Sequence, residues 1–147
     1  MRKVIGIGET ILDIIFKNEQ PTAAKPGGST FNSMITLGRL GVNTEFISEV
    51  GRDRLGKQIK EFLAENNVKA DNVYDYDGGK TALSLAFLDE NMNADYLFYK
   101  NDAAQKLDYV MPKIEENDII VIGSFFSISD ALRENLTYLL DEAKRKK

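Results

Sequence analysis

The chain has 147 residues, 43% hydrophobic and 29% charged, with a net charge of −4, which is enough to bury one core and too acidic for the clustered-cation surface that binds nucleic acid. It contains no cysteine and no histidine, excluding disulfides, thiolate nucleophiles, Cys/His metal sites and histidine general bases, so any chemistry rests on carboxylates, lysine or backbone groups. No apolar run is long enough to span a membrane, and residues 1–20 carry acids after the first strand, unlike a signal peptide, so a cytoplasmic location is expected.

Val4-Ile5-Gly6-Ile7-Gly8 reads as a short buried strand. Glu9-Thr10-Ile11-Leu12-Asp13 follows directly, placing Asp13 just beyond the strand's carboxyl end, where open α/β sheets bind ligands. Gly6-x-Gly8 is not a dinucleotide fingerprint, because Ile11 occupies the third glycine position and no helix pattern begins there. Gly27-Gly28-Ser29-Thr30-Phe31-Asn32 opens a helix predicted over Phe31 to Leu40, with Gly41 as its C′ residue. Glycines allow close approach to the backbone, the helix start offers free N–H donors, and the Asn32 amide adds donors and an acceptor. Together they can hold a polyol. The same residues also read as a plain turn, with Ser29 or Thr30 as N-cap and Asn32 solvated.

A strand is predicted over Thr44 to Ser48, then a helix from Asp53 to Asn67 with Asp53 as N-cap and Leu55, Ile59, Phe62 and Leu63 on one face. A short extended piece follows at Val73 to Tyr76. Gly79-Lys80-Thr81 resembles the end of a phosphate loop, yet Tyr74 stands where its first glycine belongs and a strand follows. Residues 82–89 and 95–101 alternate around the turn-like Asn91-Met92-Asn93, a hairpin. Neither strand leads into its own crossover helix, so the pair is expected outside the main sheet as an antiparallel flap. Its apolar face needs a partner, and a dimer through the flap is expected. The carboxylate pairs Asp89-Glu90 and Glu115-Glu116 read as solvated. Ile119 to Ile122 has the pattern of a strand buried on both faces. Ser129 to Lys146 reads as an amphipathic helix with Leu132, Leu136, Leu139, Leu140 and Ala143 inward, ending in the solvated basic run Lys144 to Lys147. The sequon at Asn135 falls within this helix and is a chance match.

Gly8-Glu9-Thr10 with Asp13, then Gly27-Gly28, Asn32, Gly41 and Val50-Gly51-Arg52-Asp53-Arg54-Leu55-Gly56, resembles the N-terminal half of the ribokinase (PfkB) family of sugar kinases, closest to its fructokinase-like branch. The resemblance runs through the whole chain in order, and the spacing from Gly41 to Gly51 fits the family's first signature. Thr30 and Met34 depart from it, standing where small residues are usual. The resemblance implies an α/β, ribokinase-like (Rossmann-like) three-layer core with a small antiparallel β lid built near 12–25 and 82–101. It implies ATP-dependent phosphorylation of a sugar hydroxyl, with ATP and Mg2+ as cofactors and a small-molecule sugar, not nucleic acid or membrane, as partner. Asp13, Gly27, Gly28 and Asn32 would hold the sugar. Phe98 and Lys100 lie in the lid segment where an arginine commonly follows the aromatics, and lysine keeps the charge without the planar fork. The family's base, an aspartate in a Gly-Ala-Gly-Asp motif, has no counterpart in these residues. The resemblance thus implies that the nucleotide-binding half lies outside them and that the 147 residues alone are inactive. A noncatalytic carbohydrate-binding or interaction module, or a fragment without independent function, are the competing expectations.

Overall fold

The computed structural model describes residues 2–100 and 111–146. Strand β1 (Val4–Ile7) is buried along its whole length and forms the centre of a parallel sheet. On one side it pairs with β4 (Thr44–Gly51), which also carries β5 (Val68–Lys69) and β6 (Val73–Tyr76). On the other side it pairs with β9 (Ile119–Ile122). Because side chains alternate along a strand, Val4 and Phe46 feed one core while Ile5, Ile7 and Ile47 feed the opposite one. The first core is closed by α1 (Ser29–Arg39) and α2 (Arg54–Glu65), through Phe31, Met34, Ile59 and Leu63. Phe31 and Phe46 meet edge to face at 5.8 Å, and burying a side chain of this size contributes about 1.5–3 kcal/mol. The second core is closed by Leu132 and by Leu136 and Leu139 of α3 (Arg133–Arg145). The three layers are those implied by the family resemblance.

Local signals account for most element ends. Gly41, at φ 79°, ends α1 as expected, with its N–H bonded to the Gly38 carbonyl and that of Val42 to Leu37, each at 3.0 Å. Asp53 caps α2, its carboxylate accepting from the Gly56 N–H at 2.9 Å. Two expectations need correction. The last helix begins at Arg133, after a short 3-10 turn over Asp130–Leu132, and Leu140 is 40% exposed because Leu139 beside it occupies the core-facing position. Strand β9 packs on both faces, Val121 against the first core and Ile120 and Ile122 against the second, but it is only partly buried: among the described residues it pairs only with β1, so its outer side is open, and Ile119 is 38% exposed. The carboxylate pairs Asp89-Glu90 and Glu115-Glu116 are exposed, as expected; Glu115 is tied to Lys113 at 2.5 Å, and Asp89 accepts three bonds from Asn91 and Asn93 and closes its turn. Those bonds, led by the Asn93 side chain, hold Asp89 below the usual carboxylate range.

A second sheet of order β3-β2-β7-β8 stands beside the first. Strand β2 (Ile11–Lys17) turns through Asn18-Glu19, both at positive φ, into β3 (Gln20–Gly27). Strand β7 (Leu83–Leu88) pairs antiparallel with β8 (Ala94–Tyr99), the predicted hairpin; Asn101, placed in it from the sequence, lies outside the described residues. The flap is mixed rather than antiparallel throughout, because β2 and β7 leave the carboxyl end of the core sheet in the same direction and pair parallel, Leu12 with Leu83 through Lys17 with Leu88. Register puts Lys25, Asp13, Ser84 and Phe98 in one row across the four strands. The opposite face carries Leu12, Ile14, Leu85, Leu97 and the stacked pair Phe16–Phe87, ring centres 4.7 Å apart. No described helix is long and apolar enough to cross a membrane.

Candidate functional site

The cleft lies where β1 ends and the chain turns into the flap. Asp13 is the third residue of β2 rather than part of the loop after β1. The strand holds it half-buried, with Oδ1 accepting from the Ser84 hydroxyl at 2.5 Å. Its Oδ2 leans over Gly27, where any Cβ would collide with it. Thr10 Oγ1 donates to the Gly27 carbonyl at 3.2 Å and closes the base of the hairpin. Gly28, at φ 128° and ψ 144°, occupies backbone space that only glycine adopts readily, with the Glu9 carbonyl where a side chain would start. It is the N-cap of α1, so neither Ser29 nor Thr30 serves as one; no side chain caps this helix and no acid lies in its first turn. The positive end of α1 is therefore left to water or a ligand. The Asn32 N–H donates to the Gly28 carbonyl at 2.9 Å.

Asp13 thus lies against Gly27, with Gly28 next in the chain and Asn32 one turn into α1. The Asn32 side chain is exposed and opens onto a groove of about 510 Å³, shared with Lys25, Pro26, Arg39 and Phe62, that Asp13 does not line. Lys100 reaches back from the end of β8 to pair with Glu9 at 2.7 Å, and its ammonium lies 5.1 Å from the Phe98 ring centre. Phe98 itself stacks on Tyr96 at 5.7 Å and is 58% exposed. A separate hollow of about 430 Å³ lies by Ile114, Ile120 and Leu140, at the foot of α3.

Residues 1–147 match the model of the pfkB family carbohydrate kinases from end to end. The chain belongs to the pfkB family. It is 30% identical over 111 residues to the fructokinase of Solanum tuberosum, an alignment covering 71% of this chain and 35% of that protein. The apo fructokinase of Vibrio cholerae O395 shares its fold with a TM-score of 0.85 at 19% identity, over 99% of this chain and 51% of that one. The same enzyme with fructose, ADP and calcium ion bound gives 0.84 at 19% identity, over 99% and 48%. The chain therefore spans about a third to a half of the length of these relatives.

In this cleft Ser84 escaped the sequence, and Thr30 took a different place from the N-cap expected of it. Ser84 is fully buried and holds Asp13, although only its polarity at an inward position of an otherwise apolar strand signalled it. Thr30, one of the two departures from the family signature, is 3% exposed with its hydroxyl unpaired among the described residues, packed where a Cβ at Gly8 or Gly123 would otherwise sit. A buried unpaired hydroxyl costs about 1–3 kcal/mol, more than the roughly 0.8 kcal/mol lost with one buried methyl. Thr30→Ala is therefore expected to raise the melting temperature by about 2–4 °C, read by calorimetry; a fall of that size would show that the hydroxyl is satisfied in solution.

The pfkB-family motif around Asp53 also titrates. Burial raises its pKa, but the bonds from Gly56 and from both Thr81 donors outweigh that and hold it below the ordinary 3.8. Since the native value is the lower one, its contribution is complete above about pH 4 and is lost as pH falls through the native value. Stability should decline with acid more steeply in the native chain than in Asp53→Asn, as denaturation at stepped pH would show.

Proposed function

We propose that this chain supplies the sugar side of a fructokinase-like carbohydrate kinase that phosphorylates a sugar hydroxyl at the expense of ATP. The observation that carries the proposal is the Asp13 carboxylate, fixed by Ser84 and lying against Gly27, next to Gly28 at the uncapped start of α1. A carboxylate accepts from adjacent sugar hydroxyls, and the helix N–H groups supply donors across the cleft. The second sheet acts as a lid that excludes water from the transfer. The name of the potato relative and the fructose and ADP in the Vibrio cholerae enzyme support fructose as substrate and ATP as donor. The described residues bring no three carboxylates together; Mg2+ in phosphoryl transfer needs only one or two carboxylates beside the phosphates, and no residue of the cleft is assigned to it. Lys100 and Phe98 are lid contributors to the sugar; Asn32 backs Gly28 through its N–H bond, while its side chain opens onto the neighbouring groove.

The test is calorimetric titration of the chain with fructose, glucose and ribose. Fructose is expected to bind in the millimolar range and ahead of the other two; no heat from any sugar would contradict the proposal. The apolar lid face, with Leu97 50% and Tyr99 56% exposed, fits a second copy of the lid. Light scattering should then report a dimer that Leu97→Lys converts to monomer, whereas a monomeric native chain would rule this pairing out.

A further inference from the structure

The motif Gly51-x-Asp53-x-x-Gly56 touches none of the sugar-site residues, yet it is built around a single residue of the lid connection. Asp53 Oδ2 accepts from the Thr81 N–H at 2.8 Å and Oδ1 from the Thr81 hydroxyl at 2.7 Å, while Oδ1 also accepts from Gly56 to cap α2. The Thr81 hydroxyl in turn accepts from the Gly51 N–H at 3.0 Å. Thr81 is 3% exposed, and a Cβ at Gly51 would meet its backbone nitrogen at 2.5 Å, so the socket closes only with glycine there. A helix N-cap needs one acceptor bond from a carboxylate; the remaining bonds serve Thr81.

Thr81 is where the chain leaves the core for the lid. The next residue, Ala82, accepts the Leu12 N–H at 3.0 Å, and Asp13 follows Leu12. Ser84, three residues beyond Thr81, holds Asp13 itself. Thr81 therefore sets the height of β7 against β2, and a strand displaced along its neighbour would carry Ser84 away from the carboxylate it orients.

We propose that Asp53 and Thr81 are positioning residues: together they form a socket that fixes the lid on the core and, through Ala82 and Ser84, places Asp13 in the sugar cleft. The role in sugar binding rests on the lid and cleft reading above, whereas the fixing of the lid does not. Removing the Thr81 hydroxyl takes away bonds to a carboxylate in a buried place, which shifts local opening by about tenfold or more.

Hydrogen exchange followed by mass spectrometry on the full chain tests this with Thr81→Val, Thr81→Ser and Asp53→Asn. Thr81→Val is expected to speed exchange in β2, β7 and β8 about tenfold, with β1 and β4 unchanged and Thr81→Ser restoring the native rate. Asp53→Asn, which keeps a capping oxygen but cannot accept from both Thr81 donors, should loosen the same strands. Unchanged lid exchange in Thr81→Val, equal acceleration of lid and core, or no restoration by serine would each overturn the socket. Fructose added to the native chain should slow lid exchange, and Thr81→Val should need more of it. If fructose protects neither protein while the local loosening is seen, the socket stands and the sugar assignment falls.

Discussion

Asp13→Ala is expected to abolish measurable fructose binding while the chain stays folded. A hydrogen bond to a charged group contributes about 1.5–3 kcal/mol, so a carboxylate that accepts two sugar hydroxyls accounts for at least about a hundredfold in affinity. Asp13 is already oriented by Ser84 and backed by Gly27, so little ordering opposes that gain. The substitution leaves the buried Ser84 hydroxyl unpaired, a stability cost of about 1–3 kcal/mol, visible as a lower melting temperature with a native circular dichroism spectrum. Ser84→Ala separates the two effects. It keeps the carboxylate but frees it to rotate, and the expected loss is nearer tenfold than a hundredfold. Native affinity in Asp13→Ala would place the sugar elsewhere.

The purified 147 residues are expected to turn over no ATP in the presence of fructose, against the roughly 1–100 per second of ordinary kinases. Phosphoryl transfer needs the donor's charge neutralised and the acceptor hydroxyl aligned with it. The sequence contains no Gly-Ala-Gly-Asp segment. Several of the described cations are already engaged, Lys3 with Glu45, Lys60 with Asp75 and Lys100 with Glu9. The uncapped start of α1 is adjacent to Asp13 and assigned to sugar. A coupled ADP assay on a preparation checked for longer contaminants measures this directly, and turnover in the ordinary range would show that the base lies within these residues.

The core was legible because its signals are local. β-branched runs gave β1 and β9, Asp53 and Gly41 marked helix ends, and spacing of Ile59 and Leu63 gave the buried face of α2. The β2–β3 hairpin was not visible from residue patterning, since its turn places Asn18 and Glu19 at φ 51° and 58°, and glutamate carries no turn signal there; only the family resemblance placed a lid segment near 12–25. Edge position is likewise nonlocal: Ile119 to Ile122 has the composition of a central strand, and only pairing shows that one side is open among the described residues. In the cleft, glycines and Asp13 stood out by type and order. Ser84 and Thr81 did not, because a serine within a strand or a threonine just before it acquires its meaning from partners 71 and 28 residues away in sequence.

The most direct measurement is a titration of fructose into isotope-labelled chain followed by amide chemical shifts. Saturable shifts are expected at Asp13, Gly27, Gly28 and Asn32, with Ser84 moving alongside and the residues around Ile114 and Leu140 silent. Absence of saturable shifts at Asp13 and Gly28, or shifts confined to the hollow at the foot of α3, would contradict a sugar site at the start of α1.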